Sequence, residues 1–228
     1  FYYLIIAKKV KDAFCMEEVK AYFAIFTAAT LLIAFNILSQ MGNVGDSLRH
    51  AAFQVASIMT TTGFATTDFD QWPEFSRTLL VMLMFIGACA GSTGGGIKVS
   101  RILMYMKTIK KELGILIHPR SVKIVMMDGK KLDHPVVRAA NIFLISYAGI
   151  LVASILLLTI DNFDFTTNVT AVISALNNIG PGLSLVGPAG NFAFFSGFSK
   201  YVLMFDMLAG RLEIFPMLLL FVPYTWKK

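Results

Sequence analysis

Apolar residues in this chain fall into runs broken by short polar stretches, and the run lengths sort them into two kinds. Residues 21–38 and 139–160 carry no charged side chain; residues 201–223 form a third long run, interrupted by Asp206, Arg211 and Glu213. A helix rises about 1.5 Å per residue and a hydrocarbon core is about 30 Å thick, so ~20 apolar residues span a membrane. These three runs are predicted as spanning helices. Residues 47–59 and 166–177 reach only ~20 Å and ~18 Å as helices, and runs of that size read as buried or re-entrant segments. Each ends in a polar, glycine-containing stretch: Thr60-Thr61-Thr62-Gly63-Phe64 in one case, Asn177-Asn178-Ile179-Gly180-Pro181-Gly182 in the other. Another apolar run follows each.

Setting Gly63 against Gly180 aligns 54–64 with 171–181 and matches Val55 with Val172 and Ser57 with Ser174. The shared order of helix, half-helix, glycine loop and helix predicts an internal repeat. The expected fold is therefore an all-α integral membrane protein of two helix–pore-loop–helix repeats, at 20–111 and 134–228, joined by a basic linker at 112–133. Residues 1–19 are expected to be the end of a preceding helix and a linker; the apolar start at 1–7 is too short for a signal peptide. Residues 76–90 give about 22 Å of helix before meeting Gly91-Ser92-Thr93-Gly94-Gly95-Gly96. Each interior glycine costs a helix ~1 kcal/mol, so this helix is expected to break inside the membrane at 91–96.

Composition removes the soluble classes. Apolar residues make up 56% of the chain and charged residues 15%, against roughly 25% charged in soluble domains; the mean hydropathy is +0.68. The net charge is +6, and its placement sets the topology. From Lys98 to Arg138 ten basic residues face three acidic ones, an excess of +7. Beside membrane spans such an excess marks the cytoplasmic side rather than a nucleic-acid surface, so no nucleic-acid partner is expected. Lys8, Lys9, Lys11 and Lys20 at one end, and Lys227 and Lys228 at the other, put both termini on that side. Asp46, Asp68, Asp70, Glu74, Asp161 and Asp164 then face outward, where both glycine loops open. Cys15 and Cys89 make no disulfide framework.

Irregular backbone at membrane depth is tolerated only where protein buries it or water reaches it. A loop after a half-helix meets that condition if it lines a pore, where its carbonyl oxygens replace the water shell of a cation. The half-helix aims its partly negative C-terminus at the same place, and outward acids raise the local cation concentration. One such loop alone reads as a tight turn between packed helices; two at equivalent repeat positions read as a filter. A phosphate-loop reading of 91–98 fails because Ile97 separates Gly96 from Lys98. Arg211 is a mid-membrane charge, which seldom faces lipid, and pairing with Glu213 two residues on is geometrically poor. Asp206 has either a water-filled cavity or a partner subunit to face. His50, His118 and His134 lack metal-ligand spacing. Asn168-Val169-Thr170 fits a glycosylation pattern short enough to match by chance. Tyr224 and Trp226 read as an interface belt.

Four motifs carry a resemblance over nearly the whole chain. They are Ser57-Ile58-Met59-Thr60-Thr61-Thr62-Gly63-Phe64, Gly91-Ser92-Thr93-Gly94-Gly95-Gly96-Ile97-Lys98, Leu176-Asn177-Asn178-Ile179-Gly180-Pro181-Gly182 and Gly210-Arg211-Leu212-Glu213-Ile214-Phe215. In this order they resemble the C-terminal half of the TrkH-type bacterial potassium-uptake proteins, within the Trk/Ktr/HKT superfamily. The resemblance implies four pore units around one axis, of which this sequence holds two, similar to the third and fourth. The missing first two pore repeats then count among its partners. It implies a K⁺ filter built from backbone carbonyls at Thr61, Thr62, Gly63, Phe64, Asn178, Ile179, Gly180 and Pro181. It implies a gate of Gly91, Ser92, Thr93, Gly94, Gly95 and Gly96 with Arg211. Ser184 stands where glycine is often expected. The resemblance further implies no catalytic residues and no cofactor in this chain, K⁺ as permeant ion, and a homodimer in the lipid bilayer of the cell inner membrane. A cytosolic TrkA-type regulatory subunit binding NAD(H) or ATP/ADP would dock on the basic stretch 107–133.

The expected function is K⁺ translocation. The alternative is a secondary transporter of another cation, Na⁺ or H⁺-coupled, or of a small solute, built on broken helices. A membrane-embedded enzyme ranks last: the chain has no HExxH, no paired intramembrane aspartates and no triad.

Overall fold

The computed structural model describes residues 14–118 and 124–211. Helix α1 (Glu17–Met41) opens with two acids in its first turn, which complement the positive end of the helix dipole, and closes at left-handed Gly42. Helix α2 (Val44–Met59) starts three residues before the predicted run because Asn43 caps it, accepting from the Gly45 N–H. It is 16 residues long, about 24 Å. After a single helical turn at Phe69–Gln71 comes α3 (Glu74–Met84). It stops six residues short of the predicted end. There the chain leaves the helix to form a parallel bridge between Ile86 and Ile97, which closes the Gly-rich segment into a loop. Helix α4 (Val99–Ile117) follows.

The basic linker holds a hairpin, β1 (Met126–Met127) paired antiparallel with β2 (Lys130–Lys131). Its turn residues Asp128 and Gly129 have φ of 49° and 75°, the double left-handed geometry that favours Asp-Gly. Helix α5 (His134–Leu158) carries Pro135 in its first turn, where a missing N–H costs nothing. Helix α6 (Phe165–Leu176) is capped by Asp164, and α7 (Gly197–Arg211) begins four residues before the predicted run. The rest of that run, with Glu213, Tyr224 and Trp226, lies outside the described residues, as do residues 1–13.

Among the described residues, α1 and α5 are long and apolar enough to cross a membrane, and only 22% of each apolar window is buried. Phe35, Ile145 and Leu156 stand out from them at 83%, 72% and 64% exposure, as lipid-facing side chains do. The two units fold alike. Helix α1 packs on α2 with α3 against both; α5 packs on α6 and α7, which pack on each other. Ile33, Ile37, Val55, Ile58, Leu80 and Leu83 form the first core, which also takes in Ile173, Ile179 and Leu183 from the second unit. Leu158, Val172, Phe195 and Leu203 form another. In a bilayer such packing gains from close fit and hydrogen bonds more than from escape from water. Helix α6 is buried at every position from Thr167 to Leu176 except Val169, so the short helix sits inside the protein, as its length requires.

Candidate functional site

The two glycine loops leave their half-helices by the same route, 117 positions apart. The Thr61 N–H donates to the Ile58 carbonyl and the Asn178 N–H to the Ala175 carbonyl, both at 3.0 Å. One residue on, the Thr62 N–H donates to the Ser57 carbonyl at 2.8 Å and the Ile179 N–H to the Ser174 carbonyl at 3.0 Å. Thr61 and Asn178 share a left-handed φ of 55° and 54°. For a β-branched threonine that conformation is an outlier costing about 1–3 kcal/mol, of the kind that gathers at functional sites. Gly63 and Gly180 follow, also at positive φ.

The matched serines brace the loops in two ways. Ser57 Oγ donates to the Phe64 carbonyl at 2.5 Å, while Ser174 Oγ accepts from the Gly180 N–H at 3.0 Å. Phe64 thus spends its carbonyl on Ser57 and leaves its ring 71% exposed. By contrast, among the described residues nothing donates to the carbonyls of Thr61, Thr62, Gly63, Asn178, Ile179 or Gly180. Carbonyls held inside a fold are paired with few exceptions, so such a series has its oxygens available to an outside partner.

The two loops meet. A Cβ on Gly63 would overlap the Ile179 carbonyl oxygen and crowd the Pro181 ring. Thr61, Thr62, Asn178, Ile179 and Gly180 line one cavity of about 800 Å³, which Leu203, Met204 and Met207 of α7 also line. Lys200 borders it with its ammonium donated to the Ala193 carbonyl. Asn178 is anchored to α7 by its side-chain bond to the Met207 carbonyl at 3.0 Å. Behind it Asn177 is fully buried, accepting from the Tyr147 hydroxyl at 2.8 Å and donating to the Ile173 carbonyl.

The Gly-rich segment packs directly against these loops. A Cβ on Gly95 would overlap the Asn177 carbonyl, and one on Gly94 would stand 3.3 Å from Thr61 Oγ1. Gly87 N–H donates to the Ile97 carbonyl and Ile97 N–H to the Phe85 carbonyl, locking the base of the segment. Lys98 reaches back into it, donating to the Ser92 and Gly94 carbonyls at 2.7 and 2.8 Å. Ser92, Thr93, Gly94, Gly96 and Arg211 line a second cavity of about 260 Å³ with Lys98 and Arg101. The structure therefore brings Arg211 and the Gly-rich segment together, although more than 100 residues separate them in sequence.

Other expectations resolve differently. Asp206 is fully buried and accepts from Ser154 Oγ at 2.7 Å, so its partner lies on α5. The acids expected to face outward are largely engaged in structure: Asp46 pairs with Arg49, and Asp70 and Glu74 pair with Arg77. Asp70 also accepts from the Ser184 N–H at 3.1 Å, tying a loop of one unit to a loop of the other. Ser184 has φ 58°, which is why glycine is often expected there. The Thr167 hydroxyl, and then its N–H, hold the Asp164 carboxyl below its usual range. His50 bonds Thr66 at 3.0 Å. Glu18, which no sequence pattern singled out, is buried against the Gly-rich segment at 6% exposure.

The model of the TrkH family of cation transport proteins matches residues 20–228. The chain belongs to that family. Among curated relatives, the Trk system potassium uptake protein TrkH of Salmonella typhimurium is 39% identical over 203 residues, 87% of this chain and 42% of the relative. TrkH of Vibrio parahaemolyticus is 44% identical over 182 residues, 80% of this chain and 37% of the relative. The crystal structure of the potassium transporter TrkH from Vibrio parahaemolyticus superposes with a TM-score of 0.84 at 40% identity, over 92% of this chain and 45% of that one. The fold is thus the all-helical membrane fold of TrkH proteins, and the chain spans less than half the length of these relatives.

Proposed function

We propose that this chain forms two of the pore units of a K⁺-translocating TrkH-type protein. The observation that carries the reading is the pair of loops with matching backbone, which meet at Gly63 and Ile179, line one cavity through Thr61, Thr62, Asn178, Ile179 and Gly180, and have carbonyls that take no donor among the described residues. A K⁺ ion entering between them would exchange hydration oxygens for the carbonyls of Thr61, Thr62 and Gly63 and of Asn178, Ile179 and Gly180, with Pro181 completing the second loop. The strained φ at Thr61 and Asn178 supplies the turn that such a series of oxygens needs. The names of the relatives, all potassium uptake proteins of Trk systems, support K⁺ as the ion.

The Gly91–Gly96 segment and Arg211 form the closed gate in this reading. Their shared cavity adjoins the filter loops, and a guanidinium in a low-dielectric passage repels a cation strongly. The missing pore units, a second copy of the protein and a cytosolic nucleotide-binding regulator complete the assembly. The regulator docks on the basic stretch 107–133, which faces the cytoplasm, while the pore loops face outside. Rubidium uptake in cells lacking their own potassium transporters tests this. Uptake is expected from the full-length protein containing this chain, and absent from the chain alone. No uptake from the full-length protein in the membrane moves the reading to a solute transporter.

A further inference from the structure

Glu18 is a buried carboxylate in the first turn of α1, and its bonds go to distant parts of the chain. Its Oε1 accepts from the Ala90 N–H at 2.6 Å and from the Ser100 N–H at 3.1 Å. Ala90 opens the Gly-rich segment and Ser100 lies in the first turn of α4, just beyond it. One oxygen thus grips both ends of the segment, across 72 and 82 residues of sequence. Bonds from backbone N–H groups to an ionised acceptor are among the stronger ones, and burial screens them little.

The neighbouring residue faces the linker. The Glu17 carboxylate bonds Lys107 of α4, and the Glu17 N–H donates to Asp128 Oδ1 in the hairpin turn at 2.7 Å. Lys107 also donates to the Met126 carbonyl at 2.7 Å. Two consecutive residues therefore join the linker hairpin on one side to the Gly-rich segment on the other. Movement of the hairpin would act on Glu17, the residue next to Glu18.

We propose that Glu18 is the positioning residue that latches the Gly-rich segment in its obstructing place, and that Glu17 ties this latch to the 126–131 hairpin. The proposal rests on the gate reading given above. It assigns the hairpin a mechanical role: a ligand that displaces it opens the segment without touching the filter.

The test is basal rubidium uptake by the full-length protein in cells lacking their own potassium transporters. Glu18→Ala removes both bonds and is expected to raise basal uptake about tenfold, equivalent to about 1.4 kcal/mol lost from the closed state. Glu18→Gln keeps a carbonyl oxygen for the same two N–H groups but loses the strengthening by the charge, and its uptake is expected to fall between those of the parent and Glu18→Ala. Asp128→Gly removes the acceptor for Glu17 yet keeps the left-handed turn; it too should raise uptake, and Glu18→Ala combined with it should give no more than Glu18→Ala alone. Parental uptake in Glu18→Ala, a Glu18→Gln as leaky as Glu18→Ala, or additive effects in the double variant overturns the latch. If Glu18→Ala does not reach the membrane, Asp128→Gly decides alone: a rise supports the latch and parental uptake overturns it. No uptake by any of these proteins, Arg211→Ala included, sinks the transport reading and the latch with it.

Discussion

Gly63 bears two separable demands, and a set of glycine-to-alanine changes can pull them apart. Its φ of 80° lies in the left-handed region, and a methyl there would meet the Ile179 carbonyl oxygen of the other loop. The first demand costs an alanine about 1–2 kcal/mol. The second is an overpacking against backbone, about 1–3 kcal/mol, since a carbonyl cannot rotate aside as a flexible side chain does. Gly63→Ala should therefore destabilise by about 2–5 kcal/mol or force the two loops apart. Gly42 isolates the first demand: its φ is 66°, with nothing within 4 Å of an added methyl. Gly42→Ala should cost only the conformational ~1–2 kcal/mol. Gly149, inside α5 with open space around it, bears neither demand, and Gly149→Ala should stabilise by about 1 kcal/mol.

Denaturant unfolding in detergent and rubidium uptake measure the three variants together. Expected uptake is parental for Gly42→Ala and Gly149→Ala and lost for Gly63→Ala. A Gly63→Ala protein no less stable than Gly42→Ala, with parental uptake, would refute the close approach of the two loops and with it the shared cavity as an ion site.

Arg211→Ala should raise basal rubidium uptake, because it takes a positive charge from the cavity beside the Gly-rich segment; unchanged flux would remove Arg211 from the gate. Ser174→Ala strands the Gly180 N–H and Ser57→Ala frees the Phe64 carbonyl; both bonds are partly buried, so each change should cost about 0.5–1.5 kcal/mol. Thermal unfolding unchanged in both variants would show that the two serines do not brace their loops as described. Asp164 has a folded pKa below its usual value, so its stabilising contribution is present above the unfolded pKa of about 3.9 and lost as pH falls through the folded one. Asp164→Asn should therefore show a shallower loss of stability on acidification below about pH 4 than the parent; equal slopes count against the cap.

What the sequence showed of this protein depended on how far apart the interacting residues lie. Helix lengths are local: the run at 21–38 sits inside α1, and the run at 139–160 sits inside α5 but for its last two residues. The match between the two segments was visible at Ser57 and Ser174, whose hydroxyls bond their loops, and at Gly63 and Gly180, whose positive φ constrains residue type. The loop strain was not visible, since Thr61 and Asn178 share a φ but not a side chain. Asp128-Gly129 carried a hairpin signal that the surrounding lysines masked. The helix end at Met84 was misplaced because Ile86 bridges Ile97, eleven positions on, and no hydropathy pattern encodes that pairing.

Glu18 marks the limit of such reading. Beside Lys8, Lys9, Lys11 and Lys20 it looks like one more charge in a solvated tail. Its burial follows only once the Gly-rich segment has folded back and brought Ala90 and Ser100 to within hydrogen-bond reach of one oxygen. The segment itself lacks the side chains to hold its own shape, being glycine at three of the four positions from Thr93 to Gly96. A loop so permissive must take its order from elsewhere: the bridge at Ile97, the ammonium of Lys98 and the carboxylate of Glu18 supply it. Two of those three holds are charged side chains on elements that also meet the linker side of the protein. Such holds can be released by a change outside the membrane, which a hydrophobic lock could not.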